Sequence, residues 1–330
     1  MMKRAYKNKE VSNVVTLLIM FVIIAAFLGI IIGKSMYTPA RMRLMGFQIP
    51  EFGLIALGMT FSFLLGGIDL SLVANANLSG ILCAYVLSGR WFSNLSSEMA
   101  IIVGIAIALI ASICCGFING MLVAKCSVPL MIATLGTMTF FKGVAMAMTG
   151  GESVTHFPDA FNKFSVLTVS GIPVIFVLFV AITVALHFSL SRSSLGRTLY
   201  LYGENPIASR FCAINNEKIL FMTFMLNGVL AGLAGLTIIS RVTTAKVGYG
   251  DAYLVQAMLV AIIGGVSPSG GRGRITGVMI AIAITQLLSS AFTIWQLSPY
   301  NRKLIWGALL ILVIVINHFT SSLKHRRNKK

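Results

Sequence analysis

The chain has 330 residues, 57% of them hydrophobic and only 11% charged, with a mean hydropathy of +0.90. So few charges exclude a soluble domain, in which about a quarter of residues are charged, and describe an all-α, polytopic integral membrane protein. The formal net charge of +17 comes without an aromatic-interleaved basic domain, and basic residues of membrane proteins gather in cytoplasmic loops, so no nucleic-acid partner is expected.

A hydrocarbon core about 30 Å thick needs roughly 20 apolar residues per helix. The tail 1–13 is basic (Lys3, Arg4, Lys7, Lys9). The apolar run 14–32 behind it is long enough to span and lacks a small-residue cleavage site, so it is expected as an uncleaved first helix. Further spans are expected at 51–66, 69–88, 98–124, 128–149, 166–188, 218–240, 253–266, 274–294 and 303–319. Ten spans place both termini on one side. The tail 320–330 (Lys324, Arg326, Arg327, Lys329, Lys330) reads like the first as cytoplasmic and close to anionic lipid. Most of the 26 Lys and Arg then lie on the side of the termini; only the cluster Lys34, Arg41, Arg43 runs strongly against it. The chain reads as one transmembrane domain over 1–330, in a bacterial inner membrane, with a cytoplasmic loop at about 189–217.

Two spans look short, 51–66 and 253–266, and each ends in a glycine pair: Gly66-Gly67 before Ile68-Asp69-Leu70-Ser71, and Gly264-Gly265 before Val266-Ser267. Gly-interrupted helices are tolerated at membrane depth where backbone lines a cavity, so 51–71 and 253–271 are read as broken helices beside a transport path. Asp69 suits two roles: capping the helix that follows it, which is preferred, or contacting a solute. Asn75, Asn77 and Ser79 make the first half of the span after Asp69 polar, and can line a pore or hydrogen-bond between helices; Thr134, Thr137 and Thr139 similarly put hydroxyls into 128–149. A polar, uncharged lining suits a neutral hydrated solute such as a sugar. Glu51, which begins a span after Pro50, is expected as a dipole-compensating residue at a helix start near the interface, and Lys142 is expected to snorkel rather than pair with an acid. Gly116/Gly120, Gly228/Gly232 and Ala231/Gly235 form small-residue stripes that should bring 98–124 and 218–240 close to neighbours.

The longest polar interval between spans is 202–217. Asn205-Pro206 marks a turn, and Ile207, Phe211 and Ile214 fall at i, i+4, i+7 of a short amphipathic helix. Such a helix in a basic loop suits docking on a soluble partner. Cys83, Cys114, Cys115, Cys126 and Cys212 show neither metal-ligand nor disulfide spacing. Gly270-Gly271-Arg272-Gly273-Arg274 lacks the Lys-Ser/Thr of a phosphate-binding loop, so this chain is expected to hold no cofactor and hydrolyse no ATP. A membrane-embedded enzyme would need a nucleophile or metal cluster that is not evident. An ion-coupled secondary transporter or channel would need partnered mid-membrane charges, for which only Asp69 and Lys142 are candidates.

Four motifs occur in order: Gly66-Gly67-Ile68-Asp69-Leu70-Ser71; Ala133-Thr134-Leu135-Gly136-Thr137; Leu195-Gly196-Arg197 with Gly203-x-Asn205-Pro206; and Gly264-Gly265-x-Ser267-x-x-Gly270-Gly271-x-Gly273. Together, over about 45–320, they resemble the permease subunits of bacterial sugar ABC importers of the ribose/xylose/allose/autoinducer-2 type. The resemblance implies a second permease copy or paralogue, a pair of cytoplasmic ATPase subunits that carry ATP and Mg, and an extracytoplasmic sugar-binding protein. It also implies that Gly203, Glu204, Asn205, Pro206, Ile207, Ala208, Arg210, Phe211 and Ile214 form the element that couples to the ATPase. Where the family commonly has Val-Gly, Gly-Gly-Asn and Ser-Gly-Ile, this chain has Leu72-Val73, Gly203-Glu204-Asn205 and Cys212-Ala213-Ile214.

Overall fold

The fold is that of a computed structural model, which describes the backbone of residues 2–327 and the side chains of 14–163 and 166–316. The basic side chains of both tails lie outside the described residues.

Thirteen helices follow one another among the described residues, with a single two-stranded hairpin. Helix α1 (Met2–Ile32) leads through a short 3-10 turn into α2 (Pro39–Leu64), then α3 (Leu72–Leu87), α4 (Ser97–Ala124) and α5 (Leu130–Thr149). A short α6 (Asp159–Ser165) and the hairpin β1 (Thr168–Val169) and β2 (Ile172–Pro173), paired antiparallel, precede α7 (Val174–Arg192). The helices α8 (Ser194–Glu204) and α9 (Pro206–Phe211) lead into α10 (Asn216–Val242), α11 (Asp251–Ile263), α12 (Ile275–Ile294) and α13 (Pro299–Arg327). Eight of these are long and apolar enough to cross a membrane, and α3 and α11 are shorter apolar helices, which matches the ten expected spans.

Helix α3 is the centre. All its residues but Leu82 are buried, and α2, α4, α5 and α10 surround it. At 16 residues it is only about 24 Å long. Apolar faces of α1, α7 and α13 remain exposed (Ile30 83%, Ile311 66%), as suits the outer, lipid-facing layer. The expected small-residue stripes carry close helix contacts: the Cα atoms of Gly116 on α4 and Gly228 on α10 meet with no room for a β-carbon on either, and Gly235 sets α10 against Ala76 of α3.

Several expectations need correction. The first broken helix is not short: α2 begins at Pro39 and has 26 residues. Pro50, read as a start signal, lies buried inside it. Pro173 of β2 packs over the α2 backbone at Gly46, one turn before Pro50. The short helix at this break is α3, because 69–71, expected as the start of the span, belong to the turn and the helix begins at Leu72. The span expected at 166–188 starts only at Val174, after the hairpin. Glu51 does not lie at a helix start; it sits inside α2 and is fully buried.

Candidate functional site

Both breaks are built alike. Helix α2 ends at Leu64 and Gly66 (φ 84°) takes the left-handed position just after it; α11 ends at Ile263 and Gly265 (φ 81°) does the same. Glycine tolerates this conformation because it has no Cβ, and it lets Gly67 N donate to Ser62 O and Val266 N to Ala261 O, satisfying carbonyls that the helix end leaves open.

Behind the first break runs a chain of buried polar groups. Asn227 Nδ2 of α10 donates to Ser62 Oγ of α2 (2.7 Å) and to Asp69 Oδ2 (3.0 Å). Asp69 Oδ1 accepts from the Ser71 hydroxyl (2.7 Å) and the Ser71 amide (3.0 Å). Asn119 Nδ2 of α4 donates to Ser71 Oγ (2.8 Å), and Thr137 of α5 donates to Asn119 Oδ1 (2.7 Å). Four long helices are thus tied to the turn in front of α3. Asp69 makes no ion pair among the described residues. The capping position of α3 is Ser71, whose side chain makes no cap bond; Asp69 closes an Asx turn just before it, a different device from the expected cap. Thr134 holds the same turn to α5, accepting from Leu70 N at 3.2 Å.

Asn75 is buried and donates to Ser112 O of α4 (3.1 Å). Asn77 is buried as well, beside Gly235, Lys246 and Tyr249, with no partner for its Nδ2. Sequence reasoning missed Asn119, Asn227 and Ser62. The signal was available: Asn119-Gly120 and Asn227-Gly228 put an amide directly ahead of a glycine in two apolar spans.

The two breaks meet. Gly271 N donates to Leu64 O at the end of α2 (3.1 Å), and the backbone at Gly66 lies against Ser269 and Gly270. Gly203, the last glycine of α8, lies in the same junction, its Cα facing Leu64 O and the Gly271 backbone so closely that no side chain fits. Glu204 then pairs with Arg272 (2.8 Å), and the Tyr200 hydroxyl donates to Gly273 O (2.8 Å). Ser267 N closes the second turn onto Arg272 O (2.8 Å). Where the resembled family has a second glycine, this chain has the Glu204 that pairs across the junction.

Beyond Gly203 the chain turns outward. Asn205 caps α9 by accepting from Ile207 N (2.9 Å) and Ala208 N (3.0 Å), with Pro206 in the first position, where no amide is needed. Ser209 donates to Asn216 Oδ1 (2.7 Å) and Asn216 Nδ2 to Pro206 O (2.8 Å), clamping the helix onto the start of α10. Ile207 and Phe211 stand 71% and 88% exposed, with Arg210 beside them. Ile214 does not continue this stripe: α9 ends at Phe211, Ala213 takes φ 56°, and Ile214 turns back onto the core. A cleft of about 860 Å³ separates α9 from the 124–130 turn. Burial pushes the Tyr202 phenol at its floor above the usual tyrosine range, against the pull of the Arg210 charge. It remains protonated at neutral pH.

At the opposite ends of these helices, Glu51 is held by Arg241 of α10 through Nε and Nη2 (3.0 Å for the latter) and by the Tyr253 hydroxyl of α11 (2.8 Å). Arg241 Nη2 also donates to Tyr249 (3.0 Å). Lys142 pairs with Asp251 at 3.1 Å; it does not snorkel. No group of three or more His, Cys, Asp or Glu could hold a metal ion among the described residues.

Residues 41–314 match the family model described as the branched-chain amino acid transport system / permease component. The ribose import permease protein of Haemophilus influenzae is 36% identical over 268 residues, 80% of each chain. That of Bacillus subtilis is 32% identical over 88% of this chain and 89% of its own. The D-allose transport system permease protein of Escherichia coli is 31% identical over 81% and 80%. No solved structure matches the chain. With ten apolar helices, two glycine-ended breaks joined in one junction and a match over most of its length, the chain belongs to this family of multi-pass membrane transport permeases.

Proposed function

We propose that the chain is the transmembrane subunit of an ATP-binding-cassette importer. It moves a monosaccharide-like solute, delivered by an extracytoplasmic binding protein, through a pore completed by a second permease copy or paralogue. Separate cytoplasmic ATPase subunits, which carry ATP and Mg, drive alternating access. The N- and C-termini lie in the cytoplasm, and so does α9. The relatives named for ribose and allose transport support the solute class.

The observation that carries this reading is α9: a short, firmly capped helix that holds Ile207 and Phe211 out to solvent while its root, Gly203–Glu204, packs against both helix breaks. A push on α9 is transmitted through Gly203 and Arg272 to the ends of α2 and α11. From there the Asp69 chain reaches α4, α5 and α10. In this mechanism Gly66, Gly67, Asp69, Ser71, Thr134, Thr137, Gly264, Gly265 and Ser267 form the joint, Asn75 holds α3 to α4, and Asn77 lies buried along the path.

The test is retention of ATPase subunits by the tagged permease, with Ile207→Asp/Phe211→Asp as the comparison. Wild type should retain them and the variant should lose at least about ten-fold, since two apolar anchors contribute roughly 1.5–3 kcal/mol each when buried. No retention by wild type would overturn the reading in favour of transport without an ATPase.

A further inference from the structure

On the side of the junction away from α9, a groove of about 590 Å³ lies between the end of α7, the start of α12 and α8. His187 and Ser191 of α7, Arg197 and Tyr200 of α8, and Arg272 and Arg274 of the second turn line it. No acidic side chain is among its described lining residues; Glu204 reaches Arg272 from outside. Among the described residues the guanidinium groups of Arg197, Arg272 and Arg274 thus outnumber the one carboxylate near the groove.

Its level in the membrane follows from α7. Val177, Leu178, Val184 and Phe188 are each about half exposed, so this side of α7 meets lipid. One turn later the exposed residues are Ser191 and Arg192, and the Arg192 guanidinium lies over the Phe188 ring at 5.1 Å. The change from apolar to basic within one turn marks the edge of the hydrocarbon, with an arginine whose stem stays on the ring while its head reaches water. The groove opens at that edge. A phosphodiester at this depth meets guanidinium donors, and its acyl chains have Val184 and Phe188 to lie on.

We propose that this groove binds the headgroup phosphate of an anionic phospholipid, seated between α7, α8 and α12. The proposal goes beyond the transport reading and requires only that α7 and α12 cross the bilayer. Basic pockets between transmembrane helices take such headgroups because the charge is attracted and the chains stay in lipid. A lipid here would bear on the Tyr200–Gly273 and Glu204–Arg272 contacts and so stiffen the joint from the membrane side.

The experiment is native mass spectrometry of the full-length chain released from detergent with dioleoyl phosphatidylglycerol, dioleoyl phosphatidylcholine or inorganic phosphate. Wild type should retain phosphatidylglycerol over phosphatidylcholine. Arg197→Gln/Arg274→Gln should lower that retention roughly 20-fold, at about five-fold per basic side chain near an anionic headgroup. Arg197→Lys/Arg274→Lys should keep most of it, and the remote pair Arg90→Gln/Lys246→Gln should leave it unchanged. An unaltered melting midpoint for the Gln variant separates lost binding from lost folding; if that variant unfolds, the single change Arg197→Gln should still lower retention about five-fold. Equal retention of the two lipids, or an equal loss in the remote pair, overturns the proposal. So does binding of inorganic phosphate with no lipid retained, which would mark a free-anion site. No ATPase enters the measurement, so its failure leaves the transport reading standing.

Discussion

Asp69 accepts three hydrogen bonds and meets no cation among the described residues. Removing it strands the Ser71 amide and hydroxyl and the Asn227 amide in a dry interior, where each unpaired donor costs roughly 1–3 kcal/mol. Asp69→Ala should therefore lower the melting midpoint sharply and abolish transport. Asp69→Asn should be far milder. Its carbonyl can keep both Ser71 bonds, and its NH2 can donate to Asn227 Oδ1, which is unpartnered, if that amide turns over. Measuring uptake and melting for the pair decides the matter: an Asn variant as inactive as the Ala variant, yet as stable as wild type, would show that the charge itself takes part in transport. In the sequence, Asp69 stood out as an acid between two spans. What could not be read there was its partner, since Asn227 lies 158 positions away and only packing brings the two together.

At the scale of the element, α9 was legible because its signals are local: an Asn-Pro start, a cap and a two-residue apolar face. Its end was misplaced because Ile214 continues the helical spacing while the left-handed backbone at Ala213 turns the chain away. Helix α2 was cut short for a related reason. Pro50 reads as a boundary, and Arg41, Arg43, Gln48 and Glu51 dilute the apolar run, yet the helix passes through. Helices α5 and α11 are joined by Lys142 and Asp251, each about one-third exposed. An exposed ion pair within a span is costly against lipid, so this face of α5 is poorly suited to acyl chains. Reversing one charge alone (Lys142→Asp or Asp251→Lys) should reduce uptake at least about ten-fold through like-charge repulsion, a coupling of over 1.4 kcal/mol. The double exchange should recover most of it. Failure of the exchange to rescue would mean that each side chain acts separately, without the pair.

Over the whole molecule, the alternation of spans could be counted from hydropathy alone, and it puts the 65–71 turn, the 124–130 turn, the 189–217 loop and the 264–273 turn on one side. The structure brings these four segments together: Leu64 and Gly66 with Gly271 and Ser269, Lys125 with Glu217, and Gly203 with Gly270. Cys126 and Cys212, both exposed, are native probes of that side. In spheroplasts a membrane-impermeant maleimide should label neither, and in inverted vesicles it should label both. A cysteine placed at Arg90 should behave oppositely. Labelling of Cys126 and Cys212 from different sides would break the ten-span order. The central position of α3 was not legible, because its polar residues suit a pore lining and helix-to-helix hydrogen bonds equally in the sequence, and only packing shows that Asn75 bonds across to α4.

The pairing of Glu51 with Arg241 also has an order in time. The two are 190 positions apart, so during synthesis the carboxylate on α2 reaches the membrane long before its guanidinium does. Until α10 follows, α2 carries a carboxylate without its guanidinium, and an ionisable group within a membrane is costly until it is paired. It also carries a proline that interrupts its hydrogen bonds. Helix α2, the partner of α3 along the first break, is therefore unable to settle early in biogenesis. Its final packing depends on the second half of the chain, which brings Arg241 and Tyr253 to Glu51.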